Sequence, residues 1–377
     1  MAFPASVAMI VVGIIFFISG LVVNFIQAVV FILIRPVSKS LYRRINKFVA
    51  ELLWLQLVWL VDWWSNLKVK LFVDDQTFDL MGKENALVMC NHRSDIDWLL
   101  GWVLAQRSGC LGSALAVMKK EAKVLPIIGW SMWFSGYLFL ERSWAKDEQT
   151  LKSSYKWLED FPMPFWLALF VEGTRFTQSK LEAAQDFAAS KGLPIPRNVL
   201  IPRTKGFVSA VTNMRSFVPA IYDCTLAVPR SQPSPTILRL FRRQPCQVYL
   251  HIKRHSMSEL AQTPEGISQW CKDLFVTKDA MLEMFLTKDI FSNEKEQDFG
   301  RPVKSLIVFL VWCGVLACGM AALFGWLARQ NSWEVIVFAA ALIGVVFAVM
   351  QVLIHSSEAE HSPPVQPDTI TTRLLQN

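Results

Sequence analysis

Ala86-Leu87-Val88-Met89-Cys90-Asn91-His92-Arg93-Ser94-Asp95-Ile96-Asp97-Trp98 passes from five apolar residues into a dense polar cluster, then into the apolar run Trp98–Leu100. The apolar half has the length of a buried strand, and Asn91-His92 is a turn-like pair. The same design recurs downstream. Leu167-Ala168-Leu169-Phe170-Val171 is a second apolar run, and it ends at Glu172-Gly173-Thr174-Arg175. Phe217-Val218-Pro219-Ala220-Ile221-Tyr222 is a third, weakened as a strand by its proline. Lys68 to Val73 and Gln247 to Arg254 alternate apolar and polar residues, the period of a half-buried strand. Helical stretches fall at 144–159 and 177–190, and 256–290 reads as a helix with Ile267, Trp270, Leu274, Met281 and Phe285 facing inward. Strands that end in polar loops, with helices between, predict an α/β unit: a mixed sheet flanked by helices, with its chemistry at the strand ends.

This unit is bracketed by apolar segments. Residues 1–34 hold no charged side chain, and the run Ala5–Ile34 exceeds the roughly 20 residues that a span needs. It is too long for a signal peptide and lacks a basic start. Arg35, Lys39, Arg43, Arg44 and Lys47 follow with no acid before Glu51, which by the positive-inside rule makes this flank cytosolic. Apolar runs at 305–328 and 335–354, joined by the polar stretch Arg329 to Glu334, read as a helical hairpin that crosses and returns. The tail from His355 is polar, contains Pro363 and Pro364, and is expected to be disordered. Three spans place 35–304 and the tail in the cytosol. Two shorter stretches, 49–64 and 124–140, are too short for a comfortable span and rich in Trp. Each fits a buried core helix or an interfacial segment equally well.

Composition agrees. The chain has 377 residues, 53% of them hydrophobic, only 18% charged, with a net charge of +7. Its mean hydropathy is +0.33 and its isoelectric point about 9.0. A modest basic excess beside apolar runs points to an anionic membrane surface, and no nucleic-acid-binding pattern accompanies it. The seven cysteines form no C-x-x-C pair, which speaks against a zinc site and a secreted disulfide framework.

His92 and Asp97 are five residues apart, about 140° around a continuous helix and so on different faces. They meet only if His92 lies on a loop and Asp97 just inside the next helix, with Ser94 or Asp95 as its N-cap. His92 is then a general base whose ring the Asp97 carboxylate orients. The plainer reading is a turn followed by a helix cap. In Glu172-Gly173-Thr174-Arg175 the glycine admits close backbone approach, the threonine donates, and the arginine offers a bidentate fork to phosphate. The alternative there is a turn with a surface arginine. Pro202-Arg203-Thr204-Lys205-Gly206 is a third basic group at a turn, whereas Arg239, Arg242 and Arg243 read as a solvated basic face.

Taken together, His92-x-x-x-x-Asp97, Phe139-Leu140-Glu141-Arg142, Glu172-Gly173-Thr174-Arg175 and Val218-Pro219-Ala220 resemble the four ordered motifs of the glycerophospholipid acyltransferases. The longer stretches Asn91–Trp98, Phe170–Phe176 and Pro202–Phe207 are similar to the eukaryotic microsomal 1-acyl-sn-glycerol-3-phosphate acyltransferases. Ser19–Asn24 and Ile34–Pro36 resemble the plant endoplasmic-reticulum type. The likeness covers nearly the whole chain and fades after about residue 355.

The resemblance implies direct transfer of an acyl group from acyl-CoA to the sn-2 hydroxyl of lysophosphatidic acid, giving phosphatidic acid and CoA. His92 removes the hydroxyl proton and Asp97 holds its ring. Arg175, helped by Glu172, Gly173 and Thr174, positions the glycerol phosphate, and Arg142 and Lys205 are further candidates for phosphate or CoA contacts. No cofactor or metal is implied, since acyl-CoA is a co-substrate and a thioester is already activated. The expected location is the endoplasmic-reticulum membrane with the catalytic part facing the cytosol, and membrane lipids are the expected surroundings. Two other functions stay open: acylation of another lysophospholipid, such as lysophosphatidylinositol or lysocardiolipin, and a non-catalytic membrane scaffold. The implied division is an anchor and basic flank at 1–48, a catalytic domain at 49–255, a helical extension at 256–304, two membrane helices at 305–354 and a tail at 355–377. The Trp-rich stretches 54–64 and 130–133, with Met132, are expected to shape an acyl groove.

Overall fold

The computed structural model describes residues 5–330 except 142, 289–290 and 292–294, together with 334, 337–338, 340–341 and 344. The tail from 355 and most of the apolar run at 335–354 therefore lie outside the described residues. In chain order the elements are α1 (Ala5–Leu33), α2 (Lys39–Trp59), β1 (Lys68–Phe72), α3 (Asp75–Leu80), β2 (Ala86–Cys90), α4 (Asp97–Arg107) and β3 (Ala114–Lys119). Next come α5 (Ile128–Ser135), β4 (Leu138–Leu140), α6 (Trp144–Glu159), β5 (Trp166–Leu169), α7 (Gln178–Lys191) and α8 (Thr204–Met214). The chain continues through β6 (Ala220–Ala227), α9 (Ile237–Phe241), β7 (Gln247–Ser256), α10 (Pro264–Lys288), β8 (Glu296–Gln297) and α11 (Lys304–Gln330). Residues 16–315 form one compact unit, and 1–15 with 316–377 make up a second, of which helical stretches at 5–15 and 316–330 are described.

Among the described residues, two helices are long and apolar enough to cross a membrane, Val7–Leu33 and Lys304–Trp326. They coincide with the first two of the three long apolar runs. The described strands build one sheet in the order β4-β3-β5-β2-β6-β7-β1-β8. From β4 to β6 all neighbours are parallel, β7 is antiparallel to β6, β1 parallel to β7 and β8 antiparallel to β1. The sheet is thus mixed, as the strand-and-helix alternation predicts. The order reverses at β2, with β5 on one side and β6 on the other. In open α/β sheets the crevice beyond the carboxyl ends at such a reversal is where ligands bind.

Local chemistry explains where strands differ from their predicted limits. β5 stops at Leu169 because the Gly173 amide donates to the Phe170 carbonyl at 2.9 Å and closes a turn. β6 starts at Ala220, after the proline that lacks an N–H, and every residue to Ala227 is buried. Val218-Pro219-Ala220 consequently sits at the amino end of β6, the opposite edge of the sheet from His92. The Pro219 carbonyl there accepts the Met257 amide at 2.8 Å.

The stretch 49–64 is core. α2 buries Leu53, Trp54, Leu55 and Val58, and Trp54 packs on Trp102 with ring centroids 4.2 Å apart. Arg43, read as part of a cytosolic flank, is buried: its guanidinium lies 4.0 Å over Trp157 and donates to the Asp160 carbonyl at 2.7 Å. Arg242 and Arg243 are exposed, as the reading of a solvated basic face expects, and Arg243 also lies 5.0 Å from the Trp64 ring centroid. The second Trp-rich stretch behaves differently. It folds as the short α5, and Val124, Leu125, Trp130 and Trp133 are left exposed. Gly136 ends α5 in the left-handed region (φ +87°), and a Cβ there would fall 2.2 Å from the Trp157 ring, so only glycine fits.

α10 presents Ile267, Cys271, Phe275, Lys278, Leu282 and Phe285 to the interior, with steps of three and four that keep one face inward. Of the residues predicted inward, Ile267 and Phe285 are fully buried, while Trp270, Leu274 and Met281 are half-buried beside them. The buried cation was not predicted. Lys278 Nζ lies 2.5 Å from Asp223 Oδ1 on β6 and donates to the Cys224 carbonyl at 2.6 Å. Removing one partner of a buried pair strands the other charge in a medium that cannot solvate it. Lys278→Met is expected to cost about 3–5 kcal/mol. Lys278→Met with Asp223→Asn should recover most of that loss, as read from denaturant midpoints of the two variants.

Candidate active site

β2 and β5 are neighbouring parallel strands in which Met89 pairs with Leu169. Three residues beyond each stand His92 and Glu172, so strand register alone brings the two polar loops together. Asn91 secures the first loop. Its buried side chain donates to the Leu226 carbonyl at 2.9 Å and accepts the Leu226 amide at 2.8 Å, continuing the β2–β6 ladder by one side-chain rung.

His92 and Asp97 meet in the way that the loop-then-helix reading requires. His92 Nδ1 is 2.8 Å from Asp97 Oδ2, and Asp97 is the first residue of α4. The N-cap is Ile96, not Ser94 or Asp95, and the helix start has no side-chain cap. Instead the Asp97 carboxylate turns back and accepts the amides of Arg93 at 2.7 Å and Ser94 at 2.8 Å through the same oxygen. Ser94 Oγ donates to the Pro235 carbonyl at 2.5 Å, which ties the loop to the segment before α9. Because Asp97 accepts throughout, Nδ1 of His92 carries the hydrogen and Nε2 is left with the lone pair. The His92 side chain is 19% exposed and Asp97 fully enclosed, so the ring has an oriented inner edge and a reachable outer one. Phe170 packs on the ring with centroids 4.5 Å apart.

Glu172 is not a surface member of a phosphate loop. It is buried, its Oε1 accepts the His92 amide at 2.8 Å, and its Oε2 accepts the Leu200 amide at 3.1 Å. Burial raises its pKa to about 7, against the pull of those two amides and of Lys278. The His92 carbonyl accepts the Phe176 amide at 2.7 Å, so both backbone groups of His92 are held by the loop after β5. Gly173 lies in the left-handed region (φ +69°), and a Cβ there would meet Arg203 Cδ at 3.0 Å. Thr174 Oγ1 accepts from Lys180 Nζ at 2.7 Å, and the Arg175 carbonyl accepts the same ammonium at 3.1 Å. Arg175 itself is half-buried in this loop.

The remaining candidates are more scattered. Lys205 is exposed in the first turn of α8, its Nζ 5.9 Å from the Trp144 ring centroid. Arg142 lies outside the described residues. Its neighbour Glu141 pairs with Lys120 at 2.5 Å and Lys146 at 3.1 Å at the edge strand β4. Arg203 was quoted only within a basic turn, yet it is brought to the loop after β5: its amide donates to the Val171 carbonyl at 2.7 Å and its side chain crosses Gly173. Lys180 had no signal beyond being a lysine in a helical stretch. A groove of about 650 Å³, almost entirely apolar, is lined by Leu21, Phe25 and Ala28 of α1 and by Lys123, Trp130 and Trp133. Met132, expected with the tryptophans, is buried in the core instead, as are Trp54 and Trp59.

Comparison with known proteins adds the following. The family model described as Acyltransferase matches residues 71–228, and that described as Acyltransferase C-terminus matches 239–312. The chain is 62% identical to 1-acyl-sn-glycerol-3-phosphate acyltransferase 3 of Arabidopsis thaliana, over 97% of each protein. It is 39% identical to 1-acyl-sn-glycerol-3-phosphate acyltransferase gamma of Homo sapiens, over 81% of this chain and 80% of that one. Among solved structures, the 1-acyl-sn-glycerophosphate acyltransferase PlsC of Thermotoga maritima matches with a TM-score of 0.45 and 16% identity, over 75% of this chain and 98% of that one.

The Glu172 carboxyl makes a pH-dependent contribution to stability. Its folded pKa of about 7 exceeds the ordinary 4.5, so the folded chain binds the extra proton between those values. The stabilisation is complete below about pH 4.5 and lost as the pH rises through 7. Glu172→Gln cannot titrate, and its lost hydrogen bond is a constant offset. The variant's stability relative to wild type should therefore rise between pH 5 and 8, by up to about 3 kcal/mol. Unfolding midpoints across that range check it, and a flat difference would refute the titration.

Proposed function

The chain belongs to the family of 1-acyl-sn-glycerol-3-phosphate acyltransferases, and on that premise we propose that it transfers an acyl group from acyl-CoA to the free hydroxyl of lysophosphatidic acid. The products are phosphatidic acid and CoA. The observation that carries the mechanism is the 2.8 Å contact between His92 Nδ1 and Asp97 Oδ2, which leaves Nε2 as base. His92 Nε2 takes the hydroxyl proton while the hydroxyl oxygen attacks the thioester carbonyl carbon. The carbon–sulfur bond then breaks, and the departing thiolate takes the proton back from the imidazolium, so CoA leaves as a thiol and His92 is restored. Asp97 steadies the ring and the positive charge that it carries in between.

Glu172 acts on this site through the backbone of His92, while Arg175 supplies the cation for the glycerol phosphate. Arg203, crossing Gly173 beside it, is a second cation suited to the same dianion. Thr174 and Lys205 complete the polar rim. The apolar groove between α1 and α5 suits a fatty acyl chain: it has a volume of about 650 Å³, a mostly apolar lining, and a wall formed by a helix apolar enough to lie in a bilayer. The reaction needs both a water-soluble thioester and a membrane lipid, which fits an active site facing the cytosol at the surface of the endoplasmic reticulum.

The decisive experiment is turnover of lysophosphatidic acid and oleoyl-CoA by purified protein. His92→Ala should lower kcat by about 10²–10⁴, the usual worth of a general base. Full turnover in that variant would discard the mechanism but not the enzyme. Trp130→Ala, which enlarges the groove, should broaden acyl-chain preference toward bulkier chains in competition between acyl-CoA species. An unchanged preference would remove the groove from the acyl path.

A further inference from the structure

Helix α10 reaches the loop that holds His92 through two sets of hydrogen bonds joined by the backbone of residues 197–200. Asp279 on α10 gathers three successive backbone amides. Its Oδ1 accepts Arg197 N at 3.0 Å, Asn198 N at 2.6 Å and Val199 N at 3.1 Å. One turn further along the helix, Glu283 Oε2 accepts Asn198 Nδ2 at 2.8 Å. The next amide in the chain, Leu200 N, donates to Glu172 Oε2, and Glu172 Oε1 accepts His92 N. A second tie runs beside the first: Arg93 Nη1 donates to the Asn198 carbonyl at 3.4 Å. The segment 198–200 is buried and belongs to no helix or strand, so these contacts determine where Leu200 N points.

We propose that Asp279 is a positioning residue for the acyl transfer: by holding the amides of residues 197–199, it aims Leu200 N at Glu172 and thereby fixes the backbone of His92. The proposal rests on the reading of His92 as general base. A carboxylate that accepts three consecutive amides makes charge-assisted bonds, stronger than neutral ones, and forces a tight local curve. Glu172 has little freedom of its own, since each of its oxygens is committed to one amide. If segment 197–200 relaxes, Glu172 loses one of two donors and its remaining hold on His92 N is no longer directional. A general base displaced by about 1 Å can lose roughly 10² in rate without losing substrate affinity. The inference gives α10 a role in the chemistry that packing on β6 and α8 alone does not explain.

The test measures kcat and KM for both substrates with the full chain, for wild type, Asp279→Ala, Asp279→Glu and Asp273→Ala. It adds Asp279→Ala in a Glu172→Gln background. Asp273 is an exposed residue of the same helix whose carboxylate accepts from Gln269 Nε2, and the loss of that side chain should change nothing. Asp279→Ala should lower kcat about tenfold or more with both KM values unchanged, and Asp279→Glu should recover part of it. In the Glu172→Gln background the same substitution should add little, because the relay is already broken. Wild-type kcat in folded Asp279→Ala, or losses that multiply fully with Glu172→Gln, would overturn the proposal. Should Asp279→Ala fail to fold, Asp279→Asn, which keeps the volume and one acceptor oxygen, is read by the same criteria. His92→Ala run in parallel separates the two ideas. Turnover retained there sinks the base reading, whereas an inactive His92→Ala beside a fully active Asp279→Ala sinks the relay alone.

Discussion

A single buried carboxylate, that of Glu172, ties the loop that holds His92 to the segment before α8. Withdrawing a carboxylate from water is costly unless donors replace the water. Glu172 has two, and they come from distant places in the chain: His92 N after β2 and Leu200 N before α8. Its pKa of about 7 shows that the compensation is incomplete. That is why the surroundings are so heavily braced. Asn91 clamps the end of β2 to β6, Phe176 N holds the carbonyl of His92, and Asp279 holds 197–199. Each of these removes freedom from the backbone of the loop that holds His92 or of a segment bonded to it.

The same economy governs the glycine–threonine–arginine loop. Gly173 is needed because the chain turns through a positive φ and because Arg203 occupies the space that a side chain would need. The loop therefore offers no bulk between its backbone and the cations around it. This is the close approach to backbone, with guanidinium groups at hand, that the proposed seat for the glycerol phosphate rests on.

How far the sequence is legible depends on the range over which each feature is decided. Strand ends at His92 and Glu172 are readable because an apolar run that stops at polar residues is a local signal, and parallel register then makes neighbours of the two loops. The contact between His92 and Asp97 follows only once the polar run is read as a loop before α4, because on a continuous helix their spacing would set them on different faces. The cap does not: Asp97 accepts amides behind it, so Ser94 and Asp95 are released from the capping role that their chemistry suggests. Glu172 reads as part of a phosphate motif, because nothing local tells that Leu200 will face it. Lys278 breaks the apolar face of α10, and its partner Asp223 places a charge in the fully buried strand β6. Only the packing of helix on sheet turns two apparent flaws into a pair. Trp54 and Trp130 show the limit from the other side. Both lie in similar Trp-rich stretches, yet Trp54 packs on Trp102 in the core and Trp130 is exposed, a difference set by what packs against each helix and not by local composition.

α1 extends this logic toward the lipid. Its polar residues would be expensive inside a bilayer, and they are spent inward: Ser19 Oγ donates to Gln56 Oε1 at 3.0 Å, and Gln27 Nε2 to Asn46 Oδ1 at 3.0 Å. Asn46 in turn donates to Ser135 Oγ at 3.3 Å on α5, and Tyr42 donates to the Phe134 carbonyl at 2.6 Å. From Phe16 onward, the helix is therefore a wall of the catalytic unit rather than a tether attached to it. Its outward face keeps Phe25, Ile32 and Leu33 exposed. Of those residues Phe25 lines the apolar groove, together with the exposed Trp130 and Trp133. The loop that leads to α5 leaves β3 at the carboxyl edge of the sheet, the edge that carries His92. A helix held to the domain by these side-chain bonds keeps its share of the groove lining, Leu21, Phe25 and Ala28, in a fixed place relative to that edge, because the helix cannot shift without breaking them.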